Sequence, residues 1–206
     1  MEHNWSGDTE SLSFTQNSNG VKRVYTPGYN DIVQLKQKFD IDYCPKIVSA
    51  SVSVTLSDRF LVNNGMHKLA LGIYGPEDSC VSGGCAESVN RGVSIRVVLF
   101  KGLWSVYTYG NQERGFGKLY SSNVTASGTN FLQLEVTEVN SSTLLIVLSI
   151  NEVILLTTEL NVVDNVESCI TGALFTDMQG GKPQQKSNWF KRKQWIMYED
   201  YEFVIR

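Results

Sequence analysis

The stretch "GVSIRVVLFKGLWSVYTYG", residues 92–110, carries Ser94 and Arg96 before a Lys101-Gly102 pair and Tyr107 and Tyr109 after it. A guanidinium stays charged at any working pH and can grip a carboxylate through two parallel hydrogen bonds. Ser94 adds a neutral donor beside it. A phenol can move a proton, although with a free pKa of about 10 it is a poor base at neutral pH unless nearby cations favour its anion. Gathered in one place, these groups could hold an acidic substituent and transfer protons next to it. The bland alternative is an arginine stacked on a tyrosine as an ordinary cross-strand pair, worth a few tenths of a kcal/mol to about 1 kcal/mol.

What would gather them is a β-hairpin. A two-residue turn at Lys101-Gly102, with glycine in the second position, pairs Phe100 with Leu103. Arg96 then faces Tyr107 and Ser94 faces Tyr109. Opposed residues share a face, as do next-but-one residues along a strand. Ile95, Val97, Leu99, Trp104 and Val106 fall on the other face, toward a core. Elsewhere the same period of two recurs. "IVSASVSVTL", residues 47–56, alternates Val48, Ala50, Val52, Val54 and Leu56 with serines and a threonine, the pattern of a strand with one dry face. Further strands are expected at 67–74, 93–100, 103–109, 131–139, 143–150, 153–159, 169–176 and 195–205, separated by Gly, Asn, Asp and Ser clusters. Only "DIVQLKQKF", residues 31–39, reads as a short helix. About ten strands with hardly any helix predict an all-β, jelly-roll sandwich of two antiparallel sheets, one of them concave.

The 206 residues lack a composition break or internal repeat, so one domain spanning 1–206 is expected, with 1–20 a loosely ordered lead-in. With 42% hydrophobic and 19% charged residues the chain is globular rather than disordered. A formal net charge of −3 gives no overall attraction to polyanions, so any such partner needs a local basic patch, and nucleic acid is not expected as a partner. The most apolar run, "TLLIVLSINEVILL", is interrupted by Asn151 and Glu152 and reads as two strands, so no membrane segment is expected. The N-terminal "MEHNWSGDTESLSF" lacks the charged start and apolar core of a secretory signal. Of the four cysteines, Cys80 and Cys85 in "CVSGGC" are close enough to form a disulfide, while Cys44 and Cys169 are too distant in sequence to judge. Their spacing, with His3 and His67 the only histidines, does not suit a zinc site, and neither metal nor cofactor is expected. Sequons at Asn4, Asn123 and Asn140, with the even cysteine count, fit an extracellular or secreted setting.

Four motifs in order add a resemblance. "HKLALGIYG" with the glycine-rich "SCVSGGC", then Ser94-Ile95-Arg96, then Tyr107-Thr108-Tyr109, then "TGALFTDMQGGKPQQKSNWFKRKQWIMYEDYEFVI" resemble the alginate lyase and glucuronan lyase families, in particular the chlorella-virus and mollusc uronate lyases. The likeness spans roughly residues 45–205. Ala70 stands where the family's motif has proline. The resemblance implies a β-jelly roll that cleaves an acidic polyuronate by β-elimination, with Lys68, Ser94, Arg96, Tyr107 and Tyr109 in the active site. Such a reaction must neutralise the uronate carboxylate, accept the C5 proton and donate a proton to the leaving O4 oxygen. Arg96 suits the first task. Lys68 and the tyrosines are candidates for the other two, with their roles left open. His67 is a further substrate contact candidate, although alternation gives it the face opposite Lys68. "KPQQKSNWFKRK", residues 182–193, could guide a polyanion through Lys182, Trp189 and Lys191, or be simply a solvated loop. "RGFGK", residues 114–118, lacks the ending of a phosphate loop and reads as a turn. Rival expectations are a non-catalytic carbohydrate-binding module and a structural coat protein on the same fold. The partner expected is an acidic polysaccharide, the chain acting as a monomer, with a virion-associated setting as the alternative location.

Overall fold

Alternation along the chain builds two facing sheets. In the computed structural model the described residues are 5–7, 14–17, 20–25, 31–38, 41–57, 65–72, 80–81, 84–85, 94–100, 103–109, 117–121, 128–162, 169–170, 172–179 and 194–206. Among them there are strands and no helix. Sheet A runs edge to edge through β1 (Trp5–Gly7), β4 (Asp31–Lys38), β15 (Gly172–Gln179), β6 (Gly65–Gly72), β9 (Ser94–Phe100), β10 (Leu103–Tyr109) and β11 (Gly117–Ser121). Sheet B runs through β14 (Val153–Asn161), β13 (Thr143–Ile150), β12 (Gly128–Asn140), β5 (Ile47–Leu56), β16 (Gln194–Ile205), β3 (Gly20–Tyr25) and β2 (Phe14–Asn17). A small ladder joins β7 (Cys80–Val81) to β8 (Gly84–Cys85). Every pairing is antiparallel, and the chain passes repeatedly from one sheet to the other, giving the jelly-roll sandwich that the sequence predicts.

The core lies between the sheets and takes one residue in two from each strand. Val48, Ala50, Val52, Val54 and Leu56 of β5 meet Leu132, Leu134 and Val136 of β12 and Leu144, Ile146, Leu148 and Ile150 of β13. From sheet A come Leu35, Ile95, Val97, Leu99, Trp104, Val106 and Ala173. The largest fully buried side chains are Trp104 and Tyr198. Burying each apolar side chain of this size contributes about 1.5–3 kcal/mol relative to leaving it exposed. A one-residue slip in any of these strands would turn its apolar set outward, so the core fixes the register.

Residues 31–38, expected as a helix, instead form β4. Its backbone is paired on one side with β1, through Trp5↔Leu35, and on the other with β15, through Phe175↔Leu35. Leu35 enters the core at 4% exposure. Two flanking strands supply ladder partners that a short isolated helix lacks, and this overrides local helical preference. The first twenty residues, read as a loosely ordered lead-in, contribute β1 to sheet A and β2 to sheet B.

A disulfide joins Cys44 to Cys169, with Cα atoms 5.3 Å apart and a sequence separation of 125. Cys44 follows β4 and precedes β5, while Cys169 precedes β15. The bond therefore fastens the end of the β4–β15 pair, where Lys38 is in register with Gly172. The pairing expected between Cys80 and Cys85 finds the two residues directly opposite each other in the β7–β8 ladder, and their side chains lie outside the described residues.

Candidate functional site on the outer face of sheet A

The β9–β10 hairpin has the register that the sequence predicts. Phe100 pairs with Leu103, Arg96 with Tyr107 and Ser94 with Tyr109. Ile95, Val97, Leu99, Trp104 and Val106 are all in the core, at 2% exposure or less, so the alternate positions belong to the outer face of the sheet. Arg96 is nonetheless only 8% exposed, and Val98 and Ser105 on the same face are 6% exposed. An outward row shielded to this degree is not a flat wet surface. A guanidinium at that depth is held where its attraction for an anion is less weakened by water than on an open surface. Tyr107 beside it is partly exposed.

Lys68 reaches this face from another part of the chain. Strand β6 lies against β9, with Ala70 in register with Arg96 and Lys68 with Val98. Lys68 therefore stands on the diagonal from Arg96, a spacing of about 7–8 Å between backbone positions. It is one row from Arg96 and Tyr107 and two rows from Ser94 and Tyr109. Only the backbone positions of Lys68, Ser94 and Tyr109 are described. The β10–β11 ladder breaks register between Val106 and Tyr107. Bulges of this kind re-aim side chains, and this one falls at a candidate site residue.

His67 occupies the opposite parity, in register with Leu99 on one side and Asp177 on the other, a core-side position. Lys182, Trp189 and Lys191 lie outside the described residues, as does the Lys101-Gly102 turn. Of "RGFGK", Gly117 and Lys118 belong to strand β11 and not to a turn. Asn140 is exposed in the β12–β13 turn, where its Oδ1 accepts hydrogen bonds from the Ser142 amide and hydroxyl, each 3.0 Å. Asn4 and Asn123 are outside the described residues.

Charge is sorted between the two outer faces. Lys36, Lys38, Lys68, Arg96 and Lys118 hold positions on the sheet A face, where no Asp or Glu occurs among the described residues. On the outer face of sheet B stand Glu135, Glu159, Glu199 and Glu202, in register with Ser49, Leu145, Ser53 and Ser51. Sequence reasoning missed Lys36, Lys38 and Lys118. A helix over 31–39 would have turned Lys36 and Lys38 to different sides, and a turn at 114–118 would have left Lys118 off the sheet. The faint signal was the alternation of Val33 and Leu35 with Gln34, Lys36 and Lys38.

No family model and no curated protein matches the sequence. Solved structures do share the fold. The alginate lyase Aly36B, as a double mutant in complex with an alginate trisaccharide, is 14% identical with a TM-score of 0.63, over 98% of this chain and 87% of that one. The alginate lyase from Aplysia kurodai is 12% identical with a TM-score of 0.62, over 98% and 89%. The endo-β-1,4-glucuronan lyase from the fungus Trichoderma reesei is 11% identical with a TM-score of 0.53, over 100% and 88%. The binding domain of botulinum neurotoxin serotype D, 12% identical with a TM-score of 0.53, also matches 94% of this chain but only 41% of its own. The fold is therefore common to lyases and to a binding domain, and function has to be argued from the site.

Proposed function

We propose that the protein is a polysaccharide lyase that cleaves an acidic polyuronate, glucuronan or alginate, by β-elimination. The observation that carries this reading is the convergence of Lys68, Ser94, Arg96, Tyr107 and Tyr109 on adjacent strands β6, β9 and β10, on one face free of carboxylates among the described residues. Arg96 binds the uronate carboxylate and, by neutralising it, makes the C5 proton easier to remove. Ser94 supports that contact. Lys68 and the two tyrosines divide the remaining work: the electron pair of the C5–H bond forms the C4–C5 double bond, the C4–O4 bond breaks, and O4 takes up a proton. Membership of the alginate and glucuronan lyase group, and an extracellular site of action, belong to the same reading. The Cys44–Cys169 disulfide fits an oxidising compartment.

The fold shared with a neurotoxin binding domain favours a second reading, in which the same face grips the polymer without cutting it. Incubation with glucuronan and with alginate over a broad pH range distinguishes the two. The expected result is the ultraviolet absorbance of a C4–C5 unsaturated uronate at new non-reducing ends. Binding of either polymer with no unsaturated product at any pH would leave the binding module in place of the enzyme.

A further inference from the structure

One lateral row of sheet A crosses six strands and holds three cations. From β4 to β11 its positions are Lys36, Leu174, Ala70, Arg96, Tyr107 and Lys118, each in direct register with the next. Neighbouring strands lie about 4.8 Å apart, so Lys36 is about 14 Å from Arg96 and Lys118 about 10 Å on its other side. Along the strand direction the arrangement differs: β9 itself offers Arg96 as its single cation. The row's remaining members are small, apolar or aromatic, and no carboxylate interrupts the face among the described residues. Lys38, one row away on β4, extends the charge at that end.

We infer that Lys36 and Lys118 are positioning residues for a polymer with a carboxylate on every sugar, lying across the strands, with Arg96 at its middle. This rests on the lyase reading of the Arg96 centre and extends it to the length of chain the protein recognises. A polyanion laid across the sheet meets a cation at both ends and in the centre. One laid along β9 meets, among the described residues, Arg96 and the neighbouring Lys68 but neither Lys36 nor Lys118. Lys36 sits two strands from Lys68 and four from Tyr107, so it governs grip and not chemistry, while Lys118 stands in register with Tyr107 and supplies a cation beside it. Long substrates benefit from them, while a fragment occupying the Arg96 centre alone does not.

The test uses Lys36→Gln, Lys118→Gln and the double substitution, with Lys22→Gln as a control. Lys22 is exposed on the opposite sheet, its ammonium 4.7 Å from the Trp195 ring centre. Glucuronan and alginate, as polymers and as size-fractionated oligosaccharides, are titrated against each protein, and KM and kcat are measured wherever product forms. Each single substitution is expected to weaken polymer binding about two- to fivefold, the effect of losing one exposed ion pair. For Lys36→Gln KM rises by the same factor, kcat is unchanged, and binding of the shortest oligosaccharides is unaffected. Lys36→Arg restores the loss, and Lys22→Gln has no effect. Unchanged polymer binding in the double variant overturns the inference and leaves the lyase reading standing. An equal loss on short and long ligands overturns it too. If duplex DNA binds as tightly and loses affinity with the same substitutions, the row is a general polyanion surface and the polyuronate assignment falls. If the unaltered protein neither binds nor cleaves any polyuronate, the lyase reading fails, and the inference fails with it.

Discussion

Arg96 combines two properties that rarely coincide: a permanent charge and near-complete burial on an outward face. Removing a charge from water is costly, so a guanidinium is kept at such a depth only where its surroundings and its ligand compensate. In the proposed lyase reading it is the anchor of the site, with Lys68 and the tyrosines as the proton carriers around it. Lys68→Ala and Tyr109→Phe are each expected to lower turnover on the preferred polyuronate by about 10²–10⁴-fold, the usual effect of deleting a proton-transfer group. The melting temperature of both variants stays within a degree or two of the parent, because both hold register positions on the outward face of sheet A. Calorimetry alongside the unsaturated-product assay checks both halves. A collapse of stability in step with activity would mean that these residues hold the fold and do not carry the reaction.

Strand β4 matters more than its sequence suggests. It lies second from one edge of sheet A, between β1 and β15, carries Lys36 and Lys38 at outer-face positions, and packs Leu35 into the core. The Cys44–Cys169 bond fastens its far end to the approach of β15. A cross-link closing so long a loop restricts the unfolded chain strongly, and losing a native disulfide typically costs about 2–5 kcal/mol. The paired substitution Cys44→Ala/Cys169→Ala is therefore expected to lower the unfolding free energy by that order in a denaturant titration. Because β4 is loosened, polymer affinity should fall along with stability, while the β9–β10 hairpin, rooted in the core through Trp104 and Val106, keeps its pairing. A double variant as stable as the parent would show that sheet packing alone secures β4.

The molecule carries a net charge of −3, yet among the described residues its two broad faces differ in sign. Sheet A presents lysines and an arginine, and sheet B presents glutamates with Lys22 among them. Net charge therefore misleads about partners, and the local field on sheet A is what an approaching polymer meets. A polyuronate should associate quickly at low ionic strength and progressively more weakly as salt is raised, since the Debye length contracts from about 10 Å at 0.1 M to about 3 Å at 1 M. A neutral β-linked glucan should bind weakly at every salt concentration. Titrations of both polymers between these limits check the difference. A salt-independent polyuronate affinity would argue that apolar stacking, and not the cationic face, holds the ligand.

The β9–β10 hairpin was legible in the residue order because a strand repeats every two residues and a tight turn fixes the register. Arg96 opposite Tyr107, the core residues between them, and the sandwich class follow from these local rules. Strands β5, β10 and β13 run over the very residues that alternation predicts. The Cys44–Cys169 pairing, the strand at 31–38 and the cationic row were not legible there. Each depends on contacts between segments far apart in the chain: β15 lies between β4 and β6 although long stretches of sequence, Lys38 to Gly172 and Gly72 to Gly172, separate it from them. Side-chain type and spacing say what Lys36, Lys68, Arg96 and Lys118 can each do. Which of them share a face is set by lateral strand order, and lateral order comes from burying both sheets against one another.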